Sequence, residues 1–385
     1  MKSTPEALIG QGVEHIDTPA AVIDLDAMER NIARMADFAR QHGMRWRPHA
    51  KLHKSAEIAL LLEAAGACGH CVQKLSEAEA LAAGGVRDLF ISNEVIAPHK
   101  LLRVARLAAE LAARGGRLSI AVDSLEGITG LAAAMAAMAA TSNDADIDVL
   151  VEIDVGQGRC GAAPGPEAAA LALAVAAHPY LHFAGLHAYH GGAQHLRSVA
   201  ERRAAIAQAA QAAADTRALI EAAGLSVPLI TGAGTGTLVH EATSGVYGEL
   251  QAGSFLFMDA DYAANEQDAA QPAFEHALFI KTQVISARPG HAVCDAGHKS
   301  HAIDSGLPLV LGQALRYANG GDEHGILYAA GPDARLPALG DTLWLVPGHC
   351  DPTVNMHDQL IGVRGGLAQG VVERIIRVDA RGAVT

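Results

Sequence analysis

Between about residue 20 and residue 265, short apolar runs alternate with segments that suit helices, and this alternation restricts the possible folds most. The runs are Arg45–His49, His70–Val72, Leu89–Ser92, Leu118–Asp123, Asp148–Asp154, Leu181–Tyr189, Pro228–Thr231 and Glu249–Ser254. Most are separated by Ala-, Leu-, Glu- and Arg-rich stretches long enough for a helix, such as Glu57–Ala65, Pro98–Arg114 and Arg197–Ala223. The last connection is shorter and Gly-rich. Eight strands in strict alternation with helices predict a closed (β/α)8 TIM-like barrel. An open doubly wound sheet is the competing fold, but the dinucleotide fingerprint expected after its first strand is absent.

One strand, Ala20–Asp24, precedes the eight. After residue 265 the pattern changes: Phe274–Ser286, His291–Asp295, Thr342–Val346, Leu360–Val363 and Val371–Val378 read as strands joined by Gly, Pro and Asp turns. The chain therefore divides into a barrel over residues 25–265 and a mostly antiparallel β domain over 266–385, which the strand within residues 1–24 joins. The Ala-rich stretch Leu131–Thr141 reads as a surface helix.

Half of the 385 residues are apolar, so a large core can be buried. A net charge of −13 excludes nucleic acid and anionic membrane surfaces as natural partners. The first residues contain no apolar leader, and no uninterrupted apolar stretch of membrane-spanning length occurs; a cytoplasmic protein is expected. The five cysteines are scattered, so a disulfide framework is not expected. Cys68 and Cys71 form a CxxC without a second pair, which reads as buried thiols rather than a zinc site.

Barrel enzymes carry their chemistry at the C-terminal ends of the strands. The first run ends in Arg47-Pro48-His49-Ala50-Lys51-Leu52-His53-Lys54. A lysine at such a strand end can form a Schiff base; Lys51 is the candidate, and Lys54 the rival expected to face solvent. The turn Thr231-Gly232-Ala233-Gly234-Thr235-Gly236-Thr237 exposes backbone N–H groups that can cradle a phosphate, without being a Walker A loop. A phosphate cradle and a Schiff-base lysine on one barrel together suggest pyridoxal 5′-phosphate (PLP). In the run from Pro347 to Asp358, an extended backbone would point His349 and Asp351 to one side and Cys350 to the other. That pair suits Mn²⁺ or Mg²⁺; zinc on His349 and Cys350 is the competitor. His187, Tyr189, His190 and His195 cluster after the sixth run, where a His can act as a general base and a Tyr can lie against a planar cofactor.

Arg47–Lys54, Ser92-Asn93-Glu94, Glu152–Gly161, Glu249–Ser254, Asp322-Glu323-His324-Gly325 and His349–Asp358 resemble the D-threonine aldolase and 3-hydroxy-D-aspartate aldolase family. The resemblance covers roughly residues 17–380. It implies an alanine racemase-like fold, a barrel followed by a β domain, with Lys51 holding PLP. It implies that Gln73, Ser92, Arg159 and Tyr189 surround the cofactor, and that Thr231, Gly232, Gly234, Thr235 and Gly236 form the phosphate turn. It makes His349 and Asp351 the metal ligands, His195 the base and a homodimer the expected assembly. Ala233 stands where relatives often have Gly, so a negative φ is expected there. His190, His298, His301 and His324 receive no role.

The implied reaction is retro-aldol cleavage of a D-β-hydroxy-α-amino acid (D-threonine, D-allo-threonine or D-3-hydroxyaspartate) to glycine and an aldehyde. The alternative is a PLP-dependent dehydratase acting on D-serine or D-threo-3-hydroxyaspartate, which releases ammonia and a keto acid. The related D-serine dehydratases tend toward His-x-Cys for zinc, and His349-x-Asp351 here favours a hard cation and an aldolase. A racemase would need no metal, and non-catalytic PLP carriers of this barrel type lack the β domain.

Overall fold

In the computed structural model, which describes residues 5–140 and 146–385, the chain folds into a parallel barrel and an antiparallel sheet that share one interface. The chain enters through β1 (Ala20–Asp24) and α1 (Leu25–Gln41), whose N-cap Asp24 accepts from the Ala27 N–H at 3.1 Å. The barrel strands follow: β2 (Arg45–Trp46), β3 (His70–Val72), β4 (Asp88–Ile91), β5 (Arg117–Val122), β6 (Ile147–Glu152), β7 (Leu181–His187), β8 (Ile230–Gly232) and β9 (Glu249–Leu250). Helices α2 (Ala56–Ala64), α3 (Leu75–Ala83), α4 (Pro98–Ala112), α5 (Leu125–Ala139), α6 (Pro166–Ala176), α7 (Val199–Ala222) and α8 (Leu238–Thr243) connect them in turn.

Every barrel pair is parallel, in the order β2-β9-β8-β7-β6-β5-β4-β3. The ring closes where the continuation of β2 meets β3: His49 bridges Cys71, and the Cys71 N–H donates to Pro48 O at 3.0 Å. The predicted first strand is therefore shorter than expected. Pro48 has no N–H to give a ladder, and the chain turns there to bring Lys51 over the barrel mouth. Leu131, Ala134 and Met135 of α5 are buried, so the Ala-rich stretch is half core rather than surface; Thr141 lies outside the described residues.

The second sheet contains β10 (Leu278–Arg288), β11 (His291–Cys294), β12 (Leu309–Val310), β13 (Leu315–Asn319), β14 (Gly325–Ala329), β15 (Thr342–Val346), β16 (Gln359–Arg364) and β17 (Val371–Arg377). It incorporates β1, which runs antiparallel to β10 and parallel to β16. Two short helices, α9 (Ala260–Ala263) and α10 (Cys350–Val354), lie between sheet and barrel mouth. A continuous apolar core including Leu25, Met35, Trp46, Phe255, Ile280 and Leu345 joins α1, the barrel edge and the sheet, which fixes the β domain against the barrel.

Few large apolar groups fill the barrel lumen: Cys71, Phe90, Ala121 and Leu150 form a small buried cluster. The rest is a buried polar chain. Glu152 meets His187 Nδ1 at 3.0 Å, and His187 Nε2 lies 3.2 Å from Gln251 Oε1. Gln251 donates to Thr231 Oγ1 at 2.9 Å, and Thr231 donates to Glu249 at 3.0 Å. Arg47 donates to Glu249 at 3.2 Å and to Asp88 at 2.5 Å. Paired throughout, these groups do not carry the penalty of lone buried charges.

Candidate active site

A cavity of about 570 Å³ opens at the C-terminal end of the barrel, and both domains line it. Lys51 reaches it from the loop after β2. Its Nζ donates to Asp351 Oδ2, on α10, at 2.5 Å. Burial pushes the Lys51 pKa down, but the Asp351 carboxylate outweighs burial and raises it, so the ammonium stays charged. Burial pushes Asp351 up, and the Lys51 and His349 charges more than offset that, leaving it below the ordinary carboxylate range.

Behind Lys51, His49 Nε2 lies 3.0 Å from Gln73 Nε2 and 3.3 Å from Ser92 Oγ. Burial, reinforced by the Lys51 charge, holds His49 neutral by pushing its pKa well down. Tyr189 follows β7, and the Arg159 guanidinium carbon stands 6.0 Å from its ring centre. Arg159 also approaches Glu152 at 3.9 Å. Thus Lys51, Gln73, Ser92, Arg159, Tyr189, His195 and Asp351 all border one cavity.

The Gly-rich turn divides. Ala233, Gly234 and Thr235 line the cavity, whereas Thr231, Gly232 and Gly236 do not. Thr231 faces inward to Glu249. The glycines serve packing as well: a Cβ on Gly234 would stand 2.3 Å from Gln194 Oε1, and one on Gly232 would stand 2.5 Å from Ala188 O. Buried Gln194 accepts from the Gly236 N–H at 3.0 Å and donates to Thr237 Oγ1 at 2.8 Å, so it ties this turn to the segment Gly191–His195. Ala233 corrects an expectation: its φ is +72, in the left-handed region. A methyl costs roughly 1–2 kcal/mol there, and the closely packed turn imposes it.

Two further expectations are corrected. Lys54 is buried, at φ +50, with Nζ 2.9 Å from Glu77 Oε1. Its partners come from α3 and the C-terminal segment, which leaves Lys51 alone in the cavity. The segment after His349 is not extended. His349 is the N-cap of α10 (φ −147, ψ 123) and Asp351 sits in its first turn. The Asp259 carboxylate accepts from the Cys350 N–H at 3.1 Å and so fixes the start of that turn. Cys350 is still turned away, its thiol donating to Met258 O at 3.3 Å.

Among the described residues there is no group of three or more His, Cys, Asp or Glu that could hold a metal. Asp351 Oδ1 is buried without a hydrogen-bond partner. His349 Nδ1 is held by Asp304 Oδ2 at 2.7 Å and meets Ser305 Oγ at 3.3 Å. A carboxylate on Nδ1 turns Nε2 outward as a ligand, the arrangement of metal-bound histidines generally.

Sequence reasoning missed His49, Gln251, Tyr262 and Asp261. His49 and Gln251 stand inside segments already singled out, His49 two positions before Lys51 and Gln251 in a segment from which no residue was chosen. Tyr262 and Asp261 lie on a four-residue helix with no periodic signal. The CxxC holds two free thiols; Cys71 is buried and Cys68 donates to Trp46 O at 3.3 Å. His298 pairs with Asp322 at 2.9 Å, and His301 Nε2 lies 3.1 Å from the Tyr317 hydroxyl.

A (β/α)8 barrel with a lysine, a Gly-rich turn and a capping β domain defines an alanine racemase-like enzyme of the PLP class. Comparison with known proteins agrees. Residues 23–261 match the alanine racemase N-terminal domain, and residues 277–363 match the putative serine dehydratase domain. The chain is 43% identical over 383 residues to 3-hydroxy-D-aspartate aldolase of Paracoccus denitrificans (strain Pd 1222), covering 98% of this chain and 95% of that one. It is 44% identical over 380 residues to D-threonine aldolase of an Arthrobacter species, covering 98% and 96%. The crystal structure of D-threonine aldolase from Filomicrobium marinum superposes with a TM-score of 0.92 at 45% identity, covering 98% of this chain and 99% of that one. The chain belongs to the family of D-threonine and 3-hydroxy-D-aspartate aldolases, which are carbon–carbon lyases.

Proposed function

We propose that this chain cleaves D-β-hydroxy-α-amino acids, D-threonine first among them, to glycine and an aldehyde, with PLP and a divalent cation. One observation carries the reading: Lys51 and Asp351 meet at 2.5 Å in a cavity whose wall also includes His195. The residues suit both groups. Lys51 would hold PLP covalently, Gln73, Ser92, Arg159 and Tyr189 would surround it, and the backbone of the Gly234–Thr235 segment would receive its phosphate. The partnerless Asp351 Oδ1 and the outward Nε2 of His349 would hold Mn²⁺ or Mg²⁺, with water or substrate completing the shell. Thr231, Gly232 and Gly236 would act by shaping the turn rather than by contact.

When bound, PLP supplies an electron sink for the pair left on Cα, and the cation supplies a Lewis acid for the β-hydroxyl. The protein's own work is proton handling and positioning. His195 takes the β-hydroxyl proton on Nε2, which accepts no hydrogen bond from any described residue. Loss of that proton lets the Cα–Cβ bond break as the aldehyde carbonyl forms, and protonation of Cα by solvent or by the protonated His195 then gives glycine. Arg159 offers a planar cation to the substrate carboxylate or the cofactor. Asp351 stands at the third position, where the His-x-Cys motif of the dehydratases has its cysteine, which supports a hard cation and an aldolase. Cys350, between the two ligands, is buried and donates to Met258 O, which speaks against a His349/Cys350 zinc site. The homodimer belongs to this reading on the family resemblance alone.

The test is to incubate the enzyme with D-threonine, D-3-hydroxyaspartate and D-serine, each with Mn²⁺ and with EDTA. Cation-dependent glycine plus aldehyde is expected. Preference for hydroxyaspartate would change only the substrate; ammonia and a keto acid without glycine would overturn the aldolase.

A further inference from the structure

His195 ends a 3-10 turn, Gly191–His195, and its side chain is about half exposed. Its Nδ1 lies 2.6 Å from Asp261 Oδ2 on α9. The Asp261 side chain is only 9% exposed. Its other oxygen, Oδ1, accepts from Arg197 Nη2. The same arginine donates through Nη1 to Asp261 O at 2.6 Å and to Asn265 Oδ1 at 2.7 Å. The carboxylate is therefore fixed from one side by a guanidinium while it faces the imidazole from the other.

α9 itself is anchored. Its N-cap, Asp259, accepts from the Tyr262 N–H at 3.0 Å and from the Cys350 N–H at 3.1 Å. One short helix thus joins the turn carrying Asp351 to the imidazole of His195. Tyr262, on the same helix, packs its ring 5.9 Å from the His195 ring.

We propose that Asp261 is the positioning residue of His195, held in place by Arg197, and that it decides which imidazole nitrogen is free to take a proton. This rests on His195 being the base. Burial pushes the Asp261 carboxyl up, but its bonds to Arg197 and His195 more than offset this, so it is ionised and can only accept. His195 Nδ1 must then carry the hydrogen, and Nε2 presents its lone pair to the cavity. An Asn at 261 has one acceptor. Arg197 would claim it, the amide N–H would face Nδ1, and the imidazole hydrogen would move to Nε2. The base would then be blocked with little change in shape.

The experiment compares wild-type holoenzyme with D261N, D261E, H195A and the D261N/H195A double variant, under Mn²⁺ with D-threonine. In parallel, the acylation rate of His195 by diethyl pyrocarbonate is read by peptide mass spectrometry. Asp261→Asn is expected to lower kcat about 100-fold or more with KM changed less than about twofold, because general base catalysis is worth about 10²- to 10⁴-fold. Asp261→Glu keeps an acceptor and should recover part of the loss. In the H195A background, D261N should change the rate by less than about twofold, since residues acting as a unit are not additive. His195 acylation should slow several-fold in D261N. An equal loss in both backgrounds, or unchanged acylation, would overturn the proposal and leave Asp261 a structural clamp. If wild type released no glycine, the activity reading would fail, and the acylation rates would still decide the role of Asp261.

Discussion

Lys51 and Asp351 lie 300 positions apart in the sequence, and the ammonium of one donates to the carboxylate of the other at 2.5 Å. The bond joins the mouth of the barrel to the β domain, so the candidate site exists only when both parts are folded. It also leaves one oxygen of Asp351 buried and unpaired, while the other neutralises the lysine. A carboxylate with one committed and one open oxygen fits a residue that serves two partners.

Asp351→Asn should therefore separate chemistry from stability. Asn keeps the shape but loses the charge that faces Lys51 and would face a cation. Lys51 remains 41% exposed toward the cavity, so water takes over much of the lost pairing. The expected stability loss is about 1 kcal/mol or less, against a fall in glycine release of about 100-fold or more. Thermal melts and a glycine assay on the same preparation check this. A variant with near-normal turnover would remove Asp351 from the site.

Gly185 is the position in the barrel least able to accept a side chain. Its φ is +134, and a Cβ there would stand 1.9 Å from Leu229 O on the chain entering β8. It also adjoins the register shift between β6 and β7, where Phe183 and Gly185 pair with consecutive residues of β6. Gly185→Ala should destabilise the protein by at least about 2–3 kcal/mol, through backbone strain plus overpacking. Soluble yield and the melting temperature report it, and a melt matching wild type would show that the strands can move apart.

The alternation of strands and helices was legible because each barrel strand is buried on both faces and each helix on one, so apolar periodicity switches repeatedly. His70–Val72 and Thr342–Val346 fall where expected, to the residue. Lys51 was legible as one of two lysines just past the first barrel strand; the family resemblance chose it over Lys54, and the structure places it on the cavity wall. What failed depends on contacts across the chain. Lys54 looks solvent-facing locally, yet Glu77 and the carbonyls of Ala380 and Ala383 bury its head. Asp351 was chosen on an extended backbone, and a helical turn delivers it instead. Asp261 carries no local mark; only the approach of α9 to the Gly191–His195 turn gives it a role.

His53 and His70 should make the fold acid-sensitive. Both are buried, with rings 6.2 Å apart, and burial pushes their pKa values down to about 3 and about 4. In the unfolded chain both titrate near 6.5. Between pH 6.5 and 4 the unfolded state therefore binds up to two more protons, so stability falls with falling pH by up to about 2.7 kcal/mol per unit. Above pH 6.5 the contribution is flat. His70→Asn should remove about one proton from that dependence, as read by melting temperatures from pH 4.5 to 7. Parallel curves for the variant and wild type would count against it.

Glu241 should act with the opposite sign. It is buried on α8, with Oε1 accepting from Thr237 Oγ1 at 2.8 Å and Oε2 without a partner. Burial pushes its pKa up to about 8, and the hydrogen bond from Thr237 lowers it only in part. The native protein keeps this acid protonated at neutral pH, whereas the unfolded chain releases the proton near 4.5. The native state thus binds the extra proton between pH 4.5 and 8. Stability is full below that window and is lost as pH rises through it, by up to about 1.4 kcal/mol per unit. Glu241→Gln keeps the size and the acceptor for Thr237 but cannot ionise. Its melting temperature should match wild type near pH 5 and exceed it increasingly toward pH 8. The two differ by one titrating group, so their difference isolates it from His53, His70 and every other site. A difference independent of pH would show that Glu241 is ionised in the native state, with Oε2 satisfied by water.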